Sequence, residues 1–438
     1  MEFLSKINEN SNNQESLCGM LENICAQENI KEVLSSTHDY QLIKLIEQVF
    51  DIYKSKNLKK YYSYGEKFVN QIIDIVNPWA TPFISDKLCK IMEESERFEK
   101  EYAYLAYKTL VEKNPEQIKI CMPKLIPIIS FDVNNVNTNV KKNASAVLEI
   151  LLNCSGNNDL TSFIPVVLKG LKDPNNIYDC VEALASCVFV QNVESPALSI
   201  TTPILLRGLT DKKTATKRLA CVIVDNMCKL IEHPKEIIPF YSSLKKKLEY
   251  CTETISDPEA RKVAGRALNT LKSSCSIDEN TNFNKESSEF YNILSEKLDS
   301  MLEINKEYLS ILLANMTNSN YFDKETWNSI FLNYAKTNDD IETISNDILT
   351  KAMESFIVKE DVFEDTEEGK DLYKGEFSLA YGALTLLNNT HLHLKQNRFY
   401  GLLGPNNCGK TTLMRAISNE QVEGFPKRDE LKTVFVEH

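Results

Sequence analysis

The stretch Met122-Pro123-Lys124-Leu125-Ile126 is an apolar segment with a proline close to its start, and related segments recur along the chain. The other copies are Pro82-Phe83-Ile84, Phe163-Ile164-Pro165-Val166-Val167, Thr202-Pro203-Ile204-Leu205-Leu206 and Ile237-Ile238-Pro239-Phe240. From Pro82 to Pro239, successive prolines of the five segments are 41, 42, 38 and 36 residues apart. Because proline fits the first turn of a helix, where its missing N–H has no intrahelical partner, each copy predicts a helix start or a kink. The sequence therefore predicts a repeated unit of about 40 residues.

A second helix is predicted in each unit, because apolar residues recur at helical spacing between the proline segments. These second helices cover residues 144–152, 181–190, 220–230 and 263–271. Two helices per unit at this period are typical of HEAT or armadillo repeats, whose helix pairs bury their apolar faces by stacking on one another. We therefore expect HEAT repeats over 76–275, and an irregular helical bundle is the alternative interpretation. Residues 1–75 are expected to be a helical, poorly phased N-terminal part of the solenoid, with helical patterns over 26–34 and 40–52.

Beyond the repeats, the sequence predicts a small helical domain between two polar connectors. Residues 276–287 are polar and aperiodic, as in a linker. Four helical patterns follow at 290–302, 308–316, 325–335 and 341–356. Helices joined by short loops favour a four-helix bundle, which we place at 288–357. Residues 358–372 are rich in Asp and Glu and are expected to form a solvated acidic linker.

A nucleotide-binding motif lies near the end of the chain. The run Gly404-Pro405-Asn406-Asn407-Cys408-Gly409-Lys410-Thr411 fits the phosphate-loop pattern G-x-x-x-x-G-K-[ST]. Loop N–H groups and a helix N-terminus attract phosphate oxygens, the lysine neutralises their charge, and the threonine hydroxyl binds Mg²⁺. We therefore expect a nucleotide with Mg²⁺, with Lys410 at the phosphates and Thr411 at the metal. The predicted phosphate-binding residues are Gly404, Pro405, Asn406, Asn407, Cys408, Gly409, Lys410, Thr411 and Thr412.

The surroundings of this motif predict the start of an α/β domain rather than a chance match. Residues 398–403 are predicted to be a buried strand before the loop, and residues 412–418 a helix after it. Further strands are predicted at 376–382, 386–394 and 431–438. The predicted fold class is thus mostly α: a HEAT-repeat solenoid, a four-helix bundle, and at 373–438 the incomplete start of an α/β P-loop nucleotide-binding domain.

Composition limits the kinds of protein this chain can be. Its 438 residues are 42% hydrophobic and 26% charged, which is ordinary for a globular protein. A net charge of −12 excludes a polycation that binds nucleic acid along its whole surface. The 12 cysteines form no C-x-x-C pair, so we expect buried thiols in a reducing compartment. The sequence lacks a run of 18 apolar residues and a basic, apolar leader, and predicts neither a membrane span nor a signal peptide.

Three groups of residues resemble one family, the fungal-type translation elongation factor three, a soluble protein of the ATP-binding-cassette class. The first is in the last repeats, and the second precedes the phosphate loop. The third runs from the loop to the end of the chain. The first group is Lys217-Arg218, Val224-Asp225-Asn226-Met227-Cys228-Lys229-Leu230 and Asp257-Pro258-Glu259-Ala260-Arg261. The second is Glu376-Phe377-Ser378-Leu379-Ala380-Tyr381-Gly382. The third is Gly404 through Ile417, Glu423-Gly424-Phe425-Pro426 and Thr433 through His438. The similarity extends in order from about residue 80 and includes Trp327.

The resemblance implies a cytoplasmic, monomeric factor that binds the ribosome and uses ATP to promote release of exit-site tRNA. Its expected partners are ribosomal RNA and proteins, and elongation factor one-alpha, without a membrane. It implies that Tyr381 stacks on adenine, for which an aromatic packing at a strand end is the alternative. The candidate ribosome contacts are Arg207, Lys212, Lys213, Lys217, Arg218, Lys245, Lys246 and Lys247, for which solvated helix ends are the alternative.

Two departures from the family bear on activity. Asn407 stands where the family has glycine, and Asn tolerates a left-handed backbone better than other non-glycine residues. The sequence also lacks the family's signature loop, catalytic Asp-Glu strand and switch histidine, so we expect no catalytic residue in this chain and no ATP turnover by it alone. We expect a truncated product or fragment. The rival functions are a non-hydrolysing HEAT-repeat scaffold with a vestigial nucleotide site and another soluble cassette ATPase, and the repeats disfavour the latter.

Overall fold

The computed structural model describes residues 14–26, 30–35, 37–189, 192–275, 285–298, 300–335, 341–354, 370–381, 384–404, 409–422, 425–427 and 429–436. These residues fold into two compact units, one of residues 1–154 with 282–362 and the other of 155–281 with 363–438. Helices dominate both units.

The helices of the first unit are α1 (Gln14–Cys25), α2 (Ile30–Ser35), α3 (Asp39–Tyr53), α4 (Tyr62–Ile75), α5 (Thr81–Glu94), α6 (Arg97–Lys113), α7 (Met122–Asp132), α8 (Thr138–Asn153), α16 (Ser287–Lys297), α17 (Glu303–Asn318), α18 (Lys324–Ala335) and α19 (Ile341–Glu354). Those of the second are α9 (Asn158–Thr161), α10 (Ile164–Lys172), α11 (Ile177–Ala185), α12 (Ser195–Leu209), α13 (Thr214–Lys229), α14 (Ile238–Thr254), α15 (Pro258–Ser274) and α20 (Lys410–Ser418). The strands β1 (Val188–Phe189), β2 (Asp371–Tyr381) and β3 (Leu384–Lys395) also belong to the second unit.

Stacked helix pairs build the first half of the solenoid. The pairs are α3 with α4, α5 with α6, and α7 with α8. The first helices α5 and α7 contact each other, and the second helices α4, α6 and α8 contact in sequence, so the pairs form two layers. Pro82 and Pro123 lie in the first turns of α5 and α7, as predicted. The stacked helix pairs therefore begin at α3, before Pro82, the first proline of the predicted repeat.

The four helices α16 to α19 contact one another in chain order and bury Trp327, Tyr308 and Phe331 almost completely. This small bundle is attached to the solenoid by polar contacts: the Asp39 carboxylate accepts hydrogen bonds from the hydroxyls of Tyr334, at 2.7 Å, and Tyr308, at 3.3 Å. The Trp79 and Tyr321 rings lie 4.7 Å apart at the same junction. The predicted bundle helices are thus present, and α17 packs on the first repeats.

The second unit continues the same design with α10 and α11, α12 and α13, and α14 and α15. Pro165 and Pro239 lie in first turns. Pro203, in contrast, lies inside α12, because that helix already begins at Ser195 with a second proline, Pro196, in its first turn. Gly170 lets α10 approach α11 closely, since a Cβ atom there would lie 2.8 Å from the Cys180 Sγ.

An antiparallel sheet of order β1-β2-β3 opens the nucleotide-binding part of this unit. The strands predicted at 376–382 and 386–394 lie within the hairpin of β2 and β3. Helix α20 packs on it and shares a core with it. That core consists of Tyr373, Leu379, Leu413, Ala416 and Val422. HEAT repeats, bundle and the start of an α/β P-loop domain are therefore the observed fold class, as predicted.

Three sequence predictions of local structure were wrong. Residues 398–404 and 432–436 form no regular strand, and Phe399, Leu403 and Val434 are largely exposed there. A strand needs a partner for its N–H and C=O groups, and neither segment pairs with another described strand. The helix predicted over 181–190 ends at Ala185, because the chain turns there into β1. Residues 355–369, most of the predicted acidic linker, lie outside the described residues, and the domain boundaries stay predictions.

The described cysteines are free thiols, and all except the half-buried Cys154 are buried, as predicted. Burial raises the pKa of Cys89 and of Cys180 to about 11 and keeps these thiols protonated. In the described part of the chain, no helix combines the length and apolarity needed to cross a bilayer.

Candidate functional site

The described part of the phosphate loop has the geometry of an anion site at a helix N-terminus. Gly409 caps α20 with φ at 95°, in the left-handed region that glycine adopts without a Cβ penalty. Helix α20 then begins at Lys410, so its free N–H groups and positive dipole end face the loop. Pro405, Asn406, Asn407 and Cys408 lie outside the described residues.

The Lys410 side chain reaches Gly404, the first residue of the phosphate-loop pattern. Its Nζ donates a hydrogen bond to the Gly404 carbonyl oxygen at 2.7 Å. Thr411 is exposed and Thr412 half-buried at the start of the helix. On the other face of α20, Leu413 and Ala416 are buried against the hairpin. The helix is thus anchored by its apolar face, and Lys410 and Thr411 lie at its N-terminal end.

Tyr381 is the last residue of β2, and its backbone pairs with Leu384 on one side and Val188 on the other. Its side chain lies outside the described residues. Leu379, two positions earlier, is fully buried in the core shared with α20. The strand carrying Tyr381 therefore packs on the helix that follows the phosphate loop.

Of the predicted basic residues, Arg207 lies on α12, and the others lie at the start of α13, on the preceding turn, and along α14. Three of the lysines lie over tyrosine rings: Lys213 is 4.8 Å from the Tyr178 centroid, Lys217 is 5.5 Å from Tyr250, and Lys245 is 5.3 Å from Tyr241. The Lys217 contact joins α13 to α14, and Tyr250 is 49% exposed.

The contact between Lys217 and Tyr250 links the two predicted clusters, because Tyr250 lies on α14, the helix that also carries Lys245, Lys246 and Lys247. We call the group Lys212, Lys213, Lys217, Lys245, Lys246 and Lys247 the basic surface.

The two arginines of the predicted set are engaged within the protein. The Arg207 Nη1 donates to the carbonyl oxygens of Gly170, at 3.0 Å, and Leu171, at 3.3 Å, near the end of α10. Burial lowers the pKa of this half-buried guanidinium. Arg218 forms an ion pair of 3.2 Å with Glu259 on α15. Arg207 thus satisfies carbonyls at a helix C-terminus, a role the sequence did not indicate.

The sequence analysis assigned no role to Asp225, the only charged residue of the Val224–Leu230 segment apart from Lys229. Its carboxylate is fully buried and lies 3.0 Å from both the Lys229 Nζ and the Arg266 Nε. The Thr270 hydroxyl donates to it at 2.6 Å. An acidic residue within an apolar helix segment was the available signal, and the network joins α13 to α15.

Family models match the chain in the order of its domains. The "EF3 N-terminal HEAT repeat" model matches residues 1–148, and the "Elongation factor 3/GNC1 HEAT repeat" model matches 176–282. An "ABC transporter" model matches residues 387–429, the segment that contains β3, the phosphate loop and α20. Among solved structures, an engineered protein aligns with 62% of this chain at 13% identity with a TM-score of 0.25, which is too low to support a fold argument.

Curated fungal proteins match most of the chain. Elongation factor 3B of Saccharomyces cerevisiae is 37% identical over 85% of this chain and 37% of its own length. Elongation factor 3 of Candida albicans is 37% identical over 84% of this chain and 36% of its own length. Elongation factor 3 of Eremothecium gossypii is 32% identical over 100% of this chain and 43% of its own length. The chain thus spans about two fifths of these relatives, and it belongs to the elongation factor 3 family.

Proposed function

We propose that this chain is the N-terminal part of a translation elongation factor that binds the ribosome and uses ATP to promote release of exit-site tRNA. The observation that carries the proposal is the combination, in one chain, of two elongation-factor-3 HEAT matches with a phosphate-loop pattern whose Lys410 bonds to Gly404. The factor acts in the cytoplasm as a monomer, with the ribosome as its main partner and elongation factor one-alpha as a further one.

In this proposal the nucleotide binds at the N-terminus of α20. The backbone N–H groups of the loop, except at Pro405, which has none, would bind the phosphates, and Lys410 would exchange its bond to the Gly404 carbonyl for phosphate oxygens. The Thr411 hydroxyl would hold Mg²⁺, which would supply positive charge to the phosphates. Tyr381 stacks on adenine. The residues named here contribute to nucleotide binding.

The basic surface contacts ribosomal RNA. The chain carries a net charge of −12, so a local group of lysines is needed to overcome its repulsion from phosphate. Lys213 and Lys217 lie over tyrosine rings, which hold the charges in place and add a stacking face. Arg207 and Arg218 contribute less, because both already have partners inside the protein.

Co-sedimentation of the purified chain with fungal ribosomes tests this function. We expect binding that weakens as salt rises, and that falls by about tenfold or more in Lys246→Glu/Lys247→Glu. Lys141→Glu/Lys142→Glu is the matched control, because it reverses two adjacent, exposed lysines on α8.

A folded chain that does not sediment with ribosomes contradicts the proposal. Binding that is equally strong in both double variants contradicts the basic surface but leaves ribosome binding in place. Ribosome binding without any nucleotide binding favours the scaffold with a vestigial nucleotide site.

A further inference from the structure

The two-residue strand β1 belongs to the HEAT repeats but completes the edge of the nucleotide-domain sheet. It follows α11 directly, and its residues pair with the end of β2, Val188 with Tyr381 and Phe189 with Ala380. Phe189 is 2% exposed. The strand end that carries the proposed adenine-stacking residue is therefore held on one side by β3 and on the other by a repeat.

The chain after β1 is tied to the end of α13. The Val193 N–H donates to the Leu230 carbonyl oxygen at 2.9 Å. The Asn192 amide donates to the Glu232 carboxylate at 2.7 Å. Helix α13 also contacts β3 directly. The contact between α13 and β3 thus links the hairpin that carries Tyr381 with the helix that presents Lys217 at its other end, and the Asn192 and Val193 hydrogen bonds lie just beyond the C-terminus of α13.

We propose that β1 positions Tyr381 for the base of the nucleotide and couples occupancy of the nucleotide site to helix α13. This inference rests on the proposed nucleotide site. An aromatic ring can stack on a base in a defined position only when the Cα atom of its residue is held in place. Backbone pairing on both sides of Tyr381 holds that Cα atom. Because coupling between two sites is reciprocal, nucleotide binding stabilises β1 and the α13 terminus to the same extent as these elements favour binding.

Two measurements on the whole chain test the coupling. The first is the affinity for a fluorescent ATP analogue with Mg²⁺ in Val188→Pro/Phe189→Pro, which removes the ladder N–H groups of β1. We expect the Kd to rise by about five- to tenfold or more. The control Val188→Ile/Phe189→Leu keeps both N–H groups and similar volumes, and should bind as the natural sequence does.

The second measurement is amide hydrogen exchange of the natural sequence with and without the analogue. We expect slower exchange of residues 186–193 and 227–232 when the nucleotide is bound, and no such change in Lys410→Ala. This readout decides the question even where the proline variant disturbs the neighbouring helices.

The outcomes separate this inference from the function on which it rests. Nucleotide binding with unchanged affinity in the folded proline variant, or with unchanged exchange at 186–193, overturns the coupling and leaves the nucleotide site standing. A natural sequence that binds no analogue overturns both.

Discussion

The buried carboxylate of Asp225 on α13 lies 3.0 Å from the guanidinium Nε of Arg266 on α15, and this ion pair joins the second helices of two successive repeats. Lys229 and Thr270 complete its surroundings. A buried carboxylate has lost its hydration, and it stays charged only when hydrogen-bond donors such as these side chains take the place of water. The network therefore fixes how α13 and α15 pack in the part of the solenoid that carries the basic surface.

Removing this carboxylate should destabilise the second unit. Asp225→Ala leaves Lys229 and Arg266 without their shared partner, and we expect a loss of about 2–4 kcal/mol in the free energy of unfolding. Urea unfolding followed by circular dichroism measures it. Glu259→Ala, which breaks the exposed pair with Arg218, should cost about 1 kcal/mol or less. Equal effects of the two substitutions would contradict the role of Asp225.

Gly170 should not tolerate a side chain. An added Cβ would lie 2.8 Å from the Cys180 Sγ and 3.1 Å from its Cβ, so Gly170→Ala should lower stability by about 1–2 kcal/mol although alanine favours a helix. Gly265→Ala on α15 meets no atom within 4 Å and should stabilise by about 0.5–1 kcal/mol. Thermal unfolding of the two variants checks the opposite signs, and a stabilised Gly170→Ala would refute the close packing of α10 on α11.

The buried thiols predict a loss of stability in alkali. Burial raises the pKa of Cys89 and Cys180 to about 11, and that of Cys121 and Cys228 to about 12, from an ordinary value of 9.0. The folded state therefore holds protons that the unfolded state releases as the pH rises above 9, and each thiol should cost about 1 kcal/mol of stability by pH 10.

Urea unfolding between pH 8 and 10.5 measures this dependence. Stability should be constant with respect to these thiols below about pH 8 and fall above pH 9. Cys89→Ala/Cys180→Ala should flatten the fall, whatever its effect at neutral pH. A slope that the double substitution leaves unchanged would mean that these thiols ionise equally in both states.

The basic surface should determine the salt dependence of ribosome binding. Each lysine that contacts phosphate displaces counterions, so Lys246→Glu/Lys247→Glu should reduce the slope of log K against log salt by about 2. Lys141→Glu/Lys142→Glu should leave the slope as it is. Titrations at three or more salt concentrations distinguish a changed slope from a uniform loss of affinity, which would indicate damage to the fold.

Local signals predicted the helices well and their long-range partners poorly. The prolines located the helix pairs from α5 onward because they mark helix starts. Helix α3 was predicted, but its pairing with α4 was not, because α3 does not begin with a proline. It is capped instead by His38, whose Nδ1 accepts a hydrogen bond from the Tyr40 N–H at 3.2 Å. The attachment of the bundle through Asp39 and Tyr334 joins residues 295 apart, a distance that periodicity does not report.

In the candidate site too, features set by local sequence were predicted, and contacts between distant residues were not. The sequence around the phosphate loop correctly predicted a helix after it, over 412–418, because helix formers act locally, although α20 begins two residues earlier, at Lys410. It did not indicate that 398–403 would lack a strand partner, or that Val188 of a repeat would pair with Tyr381. Arg207 was grouped with the exposed cations because the carbonyls it binds belong to another repeat. The roles of the predicted site residues remain predictions.

Titration of the chain with a fluorescent ATP analogue and Mg²⁺ tests directly whether the phosphate loop binds a nucleotide. We expect saturable binding at one site, weakened by about tenfold or more in Lys410→Ala and unaffected in Lys432→Ala, which changes an exposed lysine of the same domain. Binding that is absent, or that is the same in the natural sequence and in Lys410→Ala, would contradict nucleotide binding by this loop.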